Sequence, residues 1–455
     1  MIAARLIDVA PPLSARLVGA DVAFRGVGTD SRTLAPGMLF VALRGEHHDG
    51  HDHVAAAAAR GAAAVLVERE LETALPQLVV LDTQLALGEL ARWQRGHLAA
   101  TVIALTGSNG KTTVKSLAAT ILARVGSTHV TEGNLNNEIG LPLTVLRAPL
   151  AARFLVLEMG AGKPGDIAYL VRIGQPHVAL VNNVAPAHLE RLLSTDGVAE
   201  AKGAIYDGLP PGGTAVVNAD DAYAGRFVRR IGARRVLRFG IEQPAEVSAR
   251  AIELGEGARF TLVTPVGEAA VALPLAGRHN VCNALAAAAL ALAAGAPLAD
   301  VAAGLGAAHA VGGRLSRLPV PGAGVVIDDS YNANPGSVRA AIDTLALERG
   351  ERWLALGNMA ELGAEAARLH AEVGAHARAA GIERLYTVGA LAREAALAFG
   401  GTARAFDTQD AAIEALRRDF RAGVTLLVKG SRSSAMERVV AALAGHAAGG
   451  HSHAA

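Results

Sequence analysis

Short apolar runs alternate with amphipathic or alanine-rich stretches along nearly the whole chain. Near the N-terminus, MLFVAL (38–43) is uninterrupted by charge, as a strand buried on both faces would be. HVAAAAARGAAAVLV (53–67) predicts a helix, a glycine stop and another strand, with LVVLD (78–82) soon after and a helix over LALGELARWQRGH (85–97). The stretch TVIALTGSNGKTTVKSLAATILARV (101–125) predicts a strand over 101–105, a glycine-rich turn and a helix starting near Lys111. Apolar runs at FLVLEMG (154–160), VALVNNV (178–184) and GTAVVNAD (213–220) are spaced as in an open parallel sheet. From about Gly313 the pattern repeats, with strands over GVVIDDS, RWLALGN, RLYTVG and TLLVKGS separated by helical stretches. Helix alternating with apolar strand throughout is the signature of an α/β protein.

The chain has 455 residues, enough for about three domains. The divisions suggested by the pattern are 1–98, 99–312 and 313–455. Lys and Arg total 43 against 42 Asp and Glu, so no global nucleic-acid or anionic-membrane partner is implied. A single cysteine, Cys282, precludes an intramolecular disulfide and fits a reducing, cytoplasmic setting. The first residues lack a basic flank followed by an apolar core, so no signal peptide is read there. The longest uncharged stretch, 281–299, is rich in alanine and broken by Gly295 and Pro297, which predicts a buried helix rather than a membrane span. The ending GHAAGGHSHAA is low in complexity and is expected to be a frayed tail.

The first candidate chemistry is TGSNGKTT (106–113), placed between a predicted strand and a predicted helix, as a phosphate loop requires. Gly107 and Gly110 allow backbone N–H groups close to phosphate oxygens, and the helix N-terminus favours negative charge. Lys111 can reach β- and γ-phosphates, and the Thr112 hydroxyl can meet Mg²⁺. Thr106, Ser108, Asn109 and Thr113 complete the loop. Leu105 stands where the general P-loop pattern has its first glycine, so a plain glycine-rich turn is the competing reading.

The form TGxNGKT resembles the signature of the Mur ligases, ATP-driven peptide synthases of the bacterial wall. TEGNLNNEIGLPLTVL (131–146), LEMG (157–160), AHLE (187–190), AKGAIY (201–206) and GRHNVCNALAA (277–287) follow in that family's order. GRL (313–315), IDDSYNANPGSV (327–338), LGNMAELG (356–363) and VKGSRSSAMERVV (428–440) continue it. TDSR (29–32) and FVALRGEHHDGHDH (40–53) are similar to its uridine-nucleotide domain. The YNANP, LGxMxELG and VKGSRxxxME forms resemble the member that adds D-alanyl-D-alanine. The resemblance implies a three-domain Mur ligase architecture, with a central P-loop ATPase domain and a Rossmann-like C-terminal domain.

It also implies a reaction. ATP would phosphorylate the terminal carboxylate of a UDP-N-acetylmuramoyl-tripeptide, and the amine of D-alanyl-D-alanine would attack the acyl phosphate. Mg²⁺ would be needed where so many anionic groups meet. By resemblance Thr112, Glu158, His188 and Lys202 serve the metal, Lys202 as a carbamate, because an ammonium would repel Mg²⁺. Asn280 would contact adenine, Arg314 phosphate and Asp329 ribose, so the site would assemble when the domains close. Ser31 and Arg32 match the nucleotide-substrate domain, where arginine suits a diphosphate. Asn332 and Asn334 could touch substrate, with turn chemistry an equal reading. A monomer is expected.

GEHHDGHDH invites a metal reading, but its spacing fits no standard zinc pattern. Three positions depart from the family's forms: Ala204 for a usual Glu, Asn358 for a usual Asp, and NVAPAHLE for NIGEAHLE. Two readings compete with the wall-peptide ligase. One is another ligase of the same plan: folylpolyglutamate synthase, against which TDSR and DGHDH speak, or a different wall-peptide ligase, whose diaminopimelate-selective DNPR-type motif is replaced by YNANP and ELG. The other is a non-catalytic ATP-binding module, suggested by the missing carboxylates.

Overall fold

The computed structural model describes residues 1–186 and 189–445. Its strands form three sheets of five, nine and six strands and one small pair. In the first sheet Gln77–Val79, Ala64–Val67, Leu39–Val41 and Val27–Gly28 run parallel, with Arg16–Val18 antiparallel at one edge. Ala3–Arg5 pairs with Ala23–Arg25 beside it.

The nine-stranded sheet carries the site. Thr101–Thr106 lies between Phe154–Glu158 and Val178–Val181, all parallel, and Thr214–Asn218 and Arg235–Gly240 extend the same direction. The first four of these strands are buried on both faces, which is why they read as apolar runs, whereas Arg235–Gly240 exposes Arg235 and Arg238. The sheet is not purely parallel as the sequence pattern suggested. Val247–Leu254, Ala258–Thr264 and Gly267–Leu273 close one edge as an antiparallel meander. Ala258–Thr264 alternates buried with less buried positions, and Val247–Leu254 and Gly267–Leu273 are largely exposed or half-buried, so the three carry no long buried run.

Helix Lys111–Ala123 packs on this sheet through Val114, Leu117 and Ile121. At ~1.5–3 kcal/mol for each buried aliphatic side chain, these anchor the helix whose first turn faces the site. Helix Arg278–Ala293 lies against it, and Ala284 to Ala289 are almost wholly buried. Small side chains on every face let it fit between neighbours, which is also why its sequence shows no amphipathic period. It is the buried helix expected over 281–299, and it ends at Ala293, before Gly295 and Pro297.

In the six-stranded sheet Val325–Asp329, Val424–Lys429, Glu351–Gly357, Arg384–Val388 and Ala403–Phe406 are parallel, and Ser316–Pro319 is antiparallel at the edge. Helix Pro335–Leu345 follows the first of these. Asn334 caps it, accepting from Ser337 N at 2.9 Å while the Ser337 hydroxyl receives Asn334 N, and Pro335 occupies the first turn.

The segment before residue 99 is fastened to the central sheet by Arg95. This buried guanidinium donates to the carbonyls of Leu98, Gly174 and Gln175, capping the end of helix Asp166–Gly174. No helix among the described residues is long and apolar enough to cross a membrane. The expected tail falls mostly on residues 446–455, outside the described residues.

Candidate active site

A cavity of about 750 Å³ opens at the C-terminal ends of the parallel strands of the central and third sheets. This is where open α/β sheets place ligands. Its lining includes Ser108, Asn109, Gly110, Lys111, Glu158, Asn280, Arg314, Asp329, Asn332 and Asn334, all expected from sequence.

The loop 106–113 is fixed from behind at Ser108 and Asn109, whose N–H groups donate to Asn183, and leaves its free backbone donors where the helix begins. Gly110 has φ +78°, and a Cβ there would lie 2.3 Å from Asn283 Oδ1, so only glycine fits. Asn109 is held from behind: its N–H donates to Asn183 Oδ1 at 2.8 Å, and its carbonyl accepts from Asn182 and Asn183. Ser108 exchanges hydrogen bonds with Ala185. Thr106 ends its strand wholly buried, its hydroxyl without a partner among the described residues. Helix Lys111–Ala123 then starts, and the N–H groups of its first turn have no carbonyl within the helix to meet. Lys111 Nζ donates to Gly107 O at 2.7 Å. Burial lowers its pKa, Glu158 pulls the other way, and Arg314 adds to the lowering.

Glu158, 2% exposed, ends the adjacent strand in register with Leu105. Asn136 Nδ2 donates to Oε1 at 2.7 Å, while Oε2 is buried and has no well-formed hydrogen bond among the described residues. An ionisable oxygen left open in this way suits a hard cation, whose ligands are oxygens. Lys202, 1% exposed on helix Thr195–Gly203, has its pKa pushed well below the ordinary lysine value, first by burial and then by Lys111. Its amine is therefore held toward the neutral form, the form that reacts with CO₂. His188 lies outside the described residues. Thr112 belongs to the same loop, its hydroxyl accepting from Arg314 Nη2 at 2.9 Å.

Residues beyond 312 reach this loop directly. Asn334 Nδ2 donates to Asn109 Oδ1 at 2.6 Å, so Asn334 caps its helix, as the turn reading has it, and also touches the phosphate loop. Asn332 does local work: its Oδ1 accepts from Ala333 N, and its carbonyl accepts from Lys429. Asp329 pairs with Lys429 at 2.5 Å, a pair dictated by register, since the two are direct partners on adjacent strands. Asn280 is fixed by the Ala276 carbonyl and linked through Asn283 to Asn182.

Ser31 and Arg32 are not brought to this cavity. Ser31 is buried, and Arg32 points outward, paired with Asp30 at 2.8 Å. In GEHHDGHDH, the buried His51 bonds Asp49 through Nδ1 and receives Glu68 N on Nε2, so its ring is used up structurally. Among the described residues no group of three metal-ligating side chains occurs. Sequence reading missed Lys115, Asn136, Asn182, Asn283, His279 and Lys429. The one available signal was position: Lys115 follows Lys111 by one helical turn, and Asn182 and Lys429 sit at strand ends.

Three family models match along the chain: Mur ligase family, catalytic domain, over residues 23–95; Mur ligase middle domain over 105–291; and Mur ligase, glutamate ligase domain, over 313–432. The chain belongs to the Mur ligase family. The chain is 47% identical to the UDP-N-acetylmuramoyl-tripeptide--D-alanyl-D-alanine ligase of Escherichia coli strain K12, covering 97% of this chain and 99% of that protein. A crystal structure of MurF from Acinetobacter baumannii matches with TM-score 0.93 at 36% identity, covering 98% of this chain and all of that one. A MurF ligase from Thermotoga maritima in complex with ADP matches with TM-score 0.84 at 28% identity, covering 92% and 97%. The Mur ligase architecture expected from sequence is thus the one observed, apart from the antiparallel edge of the central sheet.

Proposed function

We propose that this chain is an ATP-dependent amide ligase that joins D-alanyl-D-alanine to UDP-N-acetylmuramoyl-tripeptide, giving the pentapeptide precursor of peptidoglycan. One observation carries the reading. A phosphate loop, a buried carboxylate with an open oxygen and cationic side chains from a third sheet meet in one cavity. They do so in a chain collinear with the D-alanyl-D-alanine-adding ligases over almost its whole length.

A carboxylate is a poor electrophile, so the tripeptide carboxylate must first be activated. Its oxygen attacks the γ-phosphorus of ATP and ADP leaves. The neutral amine of D-alanyl-D-alanine then attacks the acyl carbon, phosphate leaves, and the amine's proton passes to solvent or buffer. In this assignment the free N–H groups at the start of helix Lys111–Ala123 and the Lys111 side chain hold the phosphates, Arg314 adds charge to them, Asn280 meets adenine and Asp329 meets ribose. Thr112, Glu158, His188 and Lys202 as a carbamate would hold Mg²⁺, which neutralises phosphate charge when bound. Ser31 and Arg32 serve the uridine diphosphate end, and Asn332 and Asn334 shape the loop beside the acceptor. The working division is 1–98 for the UDP-substrate, 99–312 for ATP and 313–455 for D-alanyl-D-alanine and ATP contacts. The cavity wall formed by both sheets shields an acyl phosphate from water.

The test is to incubate the protein with ATP, Mg²⁺, the tripeptide and D-alanyl-D-alanine, following product mass and phosphate together. Pentapeptide with equimolar phosphate is the expected result. ADP release without either substrate, or none with both, would defeat it.

A further inference from the structure

Lys115 lies one helical turn beyond Lys111, on the same face of its helix. Its side chain is only 4% exposed, yet it carries three donors and, when protonated, a charge. One donor is spent on the Gly133 carbonyl at 3.0 Å. The ammonium then stands 3.4 Å from Glu158 Oε2, an ion-pair distance, and among the described residues that oxygen has no well-formed hydrogen bond. Charge-assisted bonds run at about 2.7–2.9 Å, so Lys115 attracts the carboxylate without consuming its lone pair. Glu158 is steadied on its other sides by the same loop: Asn136 Nδ2 holds Oε1, and Thr131 Oγ1 accepts from Glu158 N at 3.1 Å. Two hydrogen bonds thus join residues 131–136 directly to Glu158, and Lys115 bridges that loop, Glu158 and the P-loop helix. The same loop presents Asn134 and Asn136 to the cavity.

We propose that Lys115 is a positioning residue, holding Glu158 and the 131–136 loop so that Oε2 is presented, unbonded, to a divalent cation. This rests on the assignment of Glu158 as a metal ligand. It differs from a packing salt bridge, which would affect folding stability and leave the metal requirement alone.

The experiment measures Mg²⁺-dependent ADP binding by calorimetry in the full-length protein. Lys115→Met removes both tie and charge, and Lys115→Gln keeps a donor for Gly133 without the charge. Both are expected to raise the Mg²⁺ concentration for half-maximal ADP binding about tenfold or more, the usual effect of losing a residue that orients a ligand. Lys115→Arg is expected to stay near wild type, and ADP binding without Mg²⁺ to be unchanged in all three. If Lys115→Met does not fold, Lys115→Gln carries the test. An unchanged or lowered Mg²⁺ requirement in the folded variant overturns the proposal. Glu158→Ala separates the two layers. If it leaves the requirement unchanged, the assignment of Glu158 fails and the proposal falls with it. If it raises the requirement while the Lys115 variants do not, the Lys115 proposal alone is wrong.

Discussion

Arg314 Nη2 donates to the Thr112 hydroxyl at 2.9 Å, so a side chain from beyond residue 312 rests on the P-loop itself. The guanidinium is also stacked 4.5 Å over the Tyr331 ring, which limits its rotamers before any ligand arrives. A pre-placed fork beside a phosphate loop is expected to stabilise charge as it shifts during transfer. Arg314→Ala should lower kcat/KM for ATP about 10²-fold, the scale of losing one such donor. Arg314→Lys should recover only part, because it lacks the planar fork and the stacking. Steady-state kinetics with ATP varied would check this, and a loss below threefold would mean the contact is incidental.

Asn334 does two jobs that one substitution can separate. Asn334→Ala removes the cap of helix Pro335–Leu345 and should cost ~1 kcal/mol in urea unfolding. Asn334→Asp keeps the acceptor for Ser337 N but cannot donate to Asn109 Oδ1. It should therefore unfold like wild type while losing about tenfold in turnover, since Asn109 is left short of a partner. Equal turnover in Asn334→Asp and wild type would reduce Asn334 to a cap.

Lys202 is tested by rescue. Lys202→Ala opens space where the carbamate assignment puts an anionic ligand, and activity should drop about 10²-fold. Added acetate or formate should restore part of it, since a small carboxylate supplies the missing oxygen. The Lys202→Arg protein should be inactive and beyond rescue, its guanidinium staying charged and filling the space. Full activity in Lys202→Ala would dispose of the carbamate.

His279 gives the acid side of stability a defined slope. Burial, with help from Lys429, pushes its pKa down to about 4 from 6.5, Asp343 opposing. Between these values the unfolded chain takes up a proton that the folded one refuses. Stability therefore falls as pH drops from 6.5 toward 4, by at most ~1.4 kcal/mol per pH unit from this group, and no further below that. His279→Gln should flatten the dependence of the urea midpoint on pH in that window alone. An unaltered slope would assign the loss to other groups.

What could be read from sequence divides along a physical line. The parallel strands announced themselves because Thr101–Thr106 and Phe154–Glu158 are buried on both faces, and burial on both faces leaves an unbroken apolar run. The meander of Val247–Leu254 did not, because one face carries Arg250 and Glu253 to solvent. Ser316–Pro319 and Ala403–Phe406 are four-residue edge strands with no buried position, too short to show a period. In the site, the phosphate loop was legible because its parts are contiguous. Lys429 was not, since its pairing with Asp329 exists only through strand register across 100 residues. Of the asparagines behind the loop, Asn182 and Asn183 follow one strand while Asn280 and Asn283 lie on a helix, 101 residues separating Asn182 from Asn283, and no local spacing joins the two pairs.

Asn358 stands where an aspartate is usual, and its surroundings say what that exchange should do. Its Oδ1 accepts from Ala392 N at 2.9 Å, serving the first turn of helix Ala392–Phe399 from outside. Its carbonyl accepts from Ser431 N and Ser434 Oγ, which fastens the loop after Lys429 without involving the side chain. A carboxylate could accept the same N–H and would add a favourable charge at a helix N-terminus, worth ~0.3–1 kcal/mol. Asn358→Asp is therefore expected to unfold at equal or slightly higher urea and to turn over within about threefold of wild type, the local hydrogen bonds being the same. A tenfold or larger gain in turnover would show that the carboxylate does more than cap a helix, and that its absence limits this enzyme.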